Sequence, residues 1–257
     1  MLRNTIVASM FGVASALAIS TSAQAMTFAD YSATSSDANI SWTQSTSLTS
    51  GVLSTTGVGA SAATYFSFLT PALSSLADLP ALFTLSASAP ASDPAQTGLG
   101  QIAEQNLSGT FSFIYTGSAP LVVGTHTYTT GANLLTGTFT GAEIIGPNFG
   151  STSSVQDAIV TGGTVSFTSD IANFSPIGDK ALSVELTSVL PLLSANPSNA
   201  LSSFTAVSTG SFASDLAAGG GGGGVPEPVT WATMLLGFGG IGLAARRARR
   251  NFGVAFS

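Results

Sequence analysis

The sequence predicts an all-β protein, an antiparallel sandwich-like body. Three observations carry that expectation. Short apolar–polar alternations recur along the chain, turn residues separate them, and no sustained 3.6-residue periodicity runs through the middle of the chain. Composition agrees. Of 257 residues, 44% are hydrophobic and only 7% are charged, against about 25% charged in an ordinary soluble domain. Hydroxyl side chains supply most of the polarity, which suits an extracellular β-protein.

The predicted strands follow in order. They are ANISWTQ near Trp42, ATYFSFL near Phe66, ALFTLSA near Phe83 and GTFSFIYTG near Phe113. Next come GTHTYTTG near Tyr128, LLTGTFTG near Phe139, GGTVSFTSD near Phe167, ALSVELTSV near Val184 and SFTAVSTGSF near Phe204. In GTFSFIY, Phe111, Phe113 and Tyr115 fall on one face and Ser112 and Ile114 on the other, the half-buried strand pattern. The stretch from Thr70 to Pro80 has room for one helical turn. Phenylalanines at alternate strand positions read as core. No fixed-period repeat marks a solenoid or propeller.

Charge is unevenly placed. The net charge is −6. Between Arg3 and the C-terminal arginines the only basic residue is Lys180, and the acidic residues lie between Asp30 and Glu227. Nucleic acid is excluded as a partner, because phosphate binding needs clustered Lys and Arg. There is no cysteine, so disulfides, thiolate nucleophiles and cysteine metal sites are excluded together.

Both ends read as addresses. Residues 1–25 form an export signal. Arg3 is the positive region, an apolar run follows, and Ala23 and Ala25 make the A-x-A signal-peptidase site, leaving Met26 first. The body is expected over 26–218 and a poly-Gly linker over 219–224, with a root-mean-square span of about 13 Å. Gly219, Gly221 and Gly224 formally satisfy G-x-G-x-x-G, but prolines follow where a helix must open.

Residues 225–250 form a separate module, and 251–257 a short cytoplasmic tail. Pro226 and Pro228 hold Val225 and Glu227 extended, as a protease substrate must be. The uncharged run 229–245 is a single transmembrane helix by expectation, about 25 Å long at 1.5 Å per residue. Trp231 falls at its interface edge, and Arg246, Arg247, Arg249 and Arg250, in the cluster 246–250, form a cytoplasmic stop-transfer cluster.

This order of parts resembles the PEP-CTERM sorting signals of Gram-negative bacteria, in the variant PEP-x-x-W-A, here Pro226 to Ala232. The same segment is also known as an ice-binding-protein C-terminal domain, a name for the tail. The resemblance covers about the last thirty residues and implies a route. Such proteins are exported and held in the inner membrane with the body in the periplasm. An exosortase then cuts near the motif, and the body passes to the cell surface or extracellular matrix. Pro226, Glu227, Pro228 and Trp231 would be the recognition residues, as features of a substrate. NFGVAFS after Arg250 departs from members that stop near the arginines.

The expected partners are the export machinery, signal peptidase and exosortase, then exopolysaccharide or other glycans. The expected function is non-enzymatic, structural or adhesive, in a biofilm matrix. No catalytic residue, cofactor or metal is expected. The alternative class is an exported hydrolase with His126, the lone histidine, as base, although no G-x-S-x-G elbow, H-E-x-x-H or P-loop accompanies it. Asp170, Asn173 and Asp179 are candidate Ca²⁺ ligands, with turn capping the competing role. Thr125, Thr127 and Thr129, and Thr136, Thr138 and Thr140, are candidate threonine ladders, with ice or glycan as ligand.

Overall fold

The computed structural model describes residues 26–45, 50–57, 61–90, 94–157, 163–174, 180–196 and 200–214. The segments expected to be signal peptide (1–25), linker (219–224), transmembrane run (229–245) and sorting motif lie outside the described residues. Among the described residues, no helix is long and apolar enough to cross a membrane.

The body is all-β and antiparallel. Its strands are β1 (Met26–Ala33), β2 (Ile40–Gln44), β3 (Gly51–Thr55), β4 (Ala62–Phe68), β5 (Leu79–Ala89), β6 (Gln96–Gly98) and β7 (Gln101–Tyr115). They continue as β8 (Leu121–Val123), β9 (His126–Tyr128), β10 (Asn133–Pro147), β11 (Ser153–Asp157), β12 (Thr164–Thr168), β13 (Lys180–Leu190) and β14 (Phe204–Ser214). Every predicted segment carries a strand. The helical turn predicted after Thr70 is a 3-10 turn, Pro71–Leu73, opened by its proline. β1, β3, β6, β8 and β11 were not anticipated.

One sheet of 12 strands makes both walls of the body. Its pairings run β5–β7–β10–β11–β13–β14–β1–β4 and return to β5, so the sheet closes on itself. A second path from β14 through β2 and β3 also reaches β5. Thus β1 and β2 share one place in the wall beside β14, and β4 and β3 share another beside β5. Closure leaves no open edge along these paths, where an unpaired strand would template aggregation. β8 and β9 form a separate two-stranded ribbon.

The interior is one cluster of apolar side chains. β5 shows why: Leu79, Ala81, Phe83, Leu85, Ala87 and Ala89 are buried, while Pro80, Leu82, Ser86 and Ser88 are exposed. Aromatic rings occupy the centre. Phe113 stacks on Phe83 at 4.7 Å between centroids and meets Tyr31 at 4.8 Å and Phe66 at 5.0 Å. Phe111 stacks on Phe212 at 5.0 Å. Trp42 is buried, and its indole N–H donates to the Leu201 carbonyl at 3.0 Å. Burial pushes the Tyr31 phenol well above its ordinary pKa.

Candidate functional site

The second threonine ladder exists. Thr136, Thr138 and Thr140 alternate on β10 with the buried Gly137 and Phe139, so their side chains leave the core together. Pairing extends them sideways. Thr136 faces Thr168 of β12 and Ser112 of β7, and Ser112 faces Thr84 of β5. In the next row Thr138 faces Ser166 and Thr110, and Thr110 faces Ser86. That row continues through Ser54 of β3 and Ser41 of β2 to Thr205 of β14. Neighbours along a row are about 4.8 Å apart, and rows are two residues apart along each strand, about 6.7 Å.

Side-chain geometry ties the rows together. Thr84 Oγ1 and Ser112 Oγ are 2.6 Å apart, Thr138 Oγ1 and Ser166 Oγ 2.6 Å, and Thr140 and Thr164 Oγ1 2.9 Å. Thr136 donates to Asn133 Oδ1 at 2.9 Å. A hydroxyl donates once and accepts twice, so each paired hydroxyl keeps capacity for an outside partner. Thr110, Ser86, Thr138 and Ser166 are exposed. The strand positions that form these rows carry no charge. Among the described residues, the acids lie elsewhere, such as Asp30 on β1, Glu143 past the β10 bulge and Glu185 on β13. Asp30 sits opposite Ser67, and burial, helped by Asp78 and opposed by the Ser67 hydrogen bond, raises its carboxyl pKa.

The other candidates do not assemble. β9 spans only His126–Tyr128, so Thr125 and Thr129 lie outside the strand and the first ladder is not regular. The ribbon is too short to set three threonines on one face. His126 is exposed there, its ring 6.3 Å from that of Tyr128, and no described serine or carboxylate hydrogen-bonds to it. Asp170 serves as a strand cap: its Oδ2 accepts the Asn133 N–H at 2.8 Å. Asn173 is exposed in the same loop, and Asp179 lies outside the described residues. Among the described residues no three His, Cys, Asp or Glu side chains gather as a metal site. The expected signal-peptidase site Ala23 and Ala25, the expected recognition residues Pro226, Glu227, Pro228 and Trp231, and the expected stop-transfer cluster Arg246, Arg247, Arg249 and Arg250 also lie outside the described residues.

Sequence reasoning missed Glu104, which is 1% exposed and paired in register with the buried Ile144. The signal was present: Glu104 shares strand parity with the buried Ile102, so period two assigns it to the inside. The chain matches no known family, no curated protein and no solved structure.

Proposed function

We propose that this is an exported protein of the cell surface or extracellular matrix, sorted by an exosortase through its C-terminal module. Its body is non-enzymatic and contacts neutral polysaccharide through the hydroxyl face. One observation carries the reading. The first described strand opens at Met26, the residue the expected signal-peptidase cut would leave first, and Met26 pairs with Ser214 at the end of the last described strand. In sequence, the expected address segments precede Met26 and follow Ser214, and the described sheet and core lie between those two residues.

The chemistry of the face selects the partner. It presents donors and acceptors without charge, as neutral sugars do, and direct or water-bridged hydroxyl contacts need no ion pairing. Strands in a sheet twist by about 20–25° relative to one another. Hydroxyl rows that follow such a twist suit an elongated polymer that turns with them, and suit a planar ice lattice poorly.

The test is affinity electrophoresis of the protein in gels containing the neutral polysaccharide of its host's matrix. Replacing Thr110 and Thr138 together with aspartate, both exposed and opposite one another, is expected to weaken binding about thirtyfold. Two hydrogen bonds at about 1 kcal/mol each are then lost. Equal retardation of both proteins would remove the face from the account.

A further inference from the structure

A second surface lies at the end of the body away from the chain's Met26–Ser214 pair. Three connections meet there. The β6–β7 turn holds Leu99 and Gly100, the β10–β11 turn holds Phe149, and the connection after β13 holds Leu192. Backbone bonds lash them into one unit. Asn148 N–H donates to Gly100 O at 2.8 Å, Phe149 N–H to Leu193 O at 2.7 Å and Leu193 N–H to Gly150 O at 2.9 Å.

This unit turns apolar side chains outward. Leu99 is 107% exposed, Phe149 69%, Leu190 68% and Leu192 46%. Two of them are also held against their backbone preference: Leu99 has φ 52° and Phe149 φ 59°. The left-handed region suits Gly or Asn and penalises bulky residues. Asparagine at either turn tip would serve the fold better, so the apolar group is kept for what it touches. Phe149 also differs from the phenylalanines at strand positions, which are buried.

We propose that these tips insert into the apolar layer of a lipid bilayer. The segments 96–100, 147–152 and 188–193 contain no charged residue, so nothing at the tips resists transfer out of water. The tips project from hydrogen-bonded turns as separate side chains. Four side chains cover a few hundred square ångströms, short of the roughly 1,000 Å² total that a stable protein interface needs. Lipid requires no shape match, and each apolar group buried in it adds to binding. Neutral lipid is the fitting choice for an acidic body.

Because the chain has no cysteine, single labels are clean. The full chain carrying Phe149→Cys, or separately Thr110→Cys, is labelled with an environment-sensitive fluorophore and mixed with phosphatidylcholine vesicles. Attachment through the tail acts on both labelled chains alike, so the difference between labels reports the tips. The Phe149→Cys label is expected to at least double its emission and to be quenched by spin-labelled acyl chains, while the Thr110→Cys label stays unchanged. Adding Leu99→Asn and Leu190→Asn is expected to halve the gain or more. No gain with vesicles, or a gain unaffected by those two substitutions, overturns the proposal. So does a gain that appears without vesicles and grows with protein concentration, which would assign the tips to a second copy of the chain.

Discussion

Phe113→Ala lowers the unfolding free energy by about 3–5 kcal/mol, the cost of emptying a large buried aromatic site. Phe113 has no exposed surface and lies within ring contact of Phe83, Tyr31, Phe66, Phe111 and Phe212. These neighbours sit on β5, β1, β4, β7 itself and β14, so one side chain joins both walls of the closed sheet. Without it the rings lose contacts that no neighbour can restore, because the strands behind them are fixed by their pairings. Urea unfolding monitored by Trp42 fluorescence measures the loss. Phe113→Leu is expected to cost much less. A loss below about 1 kcal/mol for the alanine variant would mean that the rings are not packed as described.

Gly109→Val is expected to destabilise by about 3 kcal/mol, at the upper end of overpacking costs. Gly109 lies opposite Ala87 in the β5–β7 register. A Cβ there would meet the Ser86 carbonyl and lie 2.6 Å from the Ala87 Cα. Those atoms are backbone, so no rotamer change relieves the collision, and the strands must part. The β5–β7 seam carries part of the hydroxyl face, so the same substitution should disturb polysaccharide retardation as well. A melting temperature equal to that of the parent protein would contradict this register.

The strands were legible because each is a local pattern. In β7, the alternation of Phe111, Phe113 and Tyr115 with Ser112 and Ile114 is visible within one strand and was realised as predicted. The missed strands are short or weakly patterned. Gly51–Thr55 pairs with β2 and β5, so tertiary partners decide its state. Closure was not legible. Whether the sheet ends or returns depends on β14 reaching β5 through β1 and β4 and again through β2 and β3, a non-local fact that no window of sequence holds.

The site was legible by halves. Thr136, Thr138 and Thr140 were visible as a ladder, but their sideways extension required the registers with β12, β7 and β5. The ladder read at Thr125, Thr127 and Thr129 failed because the strand there is only three residues long. Phe149 lies in none of the predicted strands, and its turn presents it outward at positive φ.

The measurement that bears most directly on the account is mass spectrometry of both ends of the mature protein, from hosts with and without the exosortase. The account predicts a chain that starts at Met26 and ends near Pro226 only when that enzyme is present. A chain that keeps Arg246 to Arg250 in both hosts would contradict it, and the β-body would then be a permanent inner-membrane protein facing the periplasm.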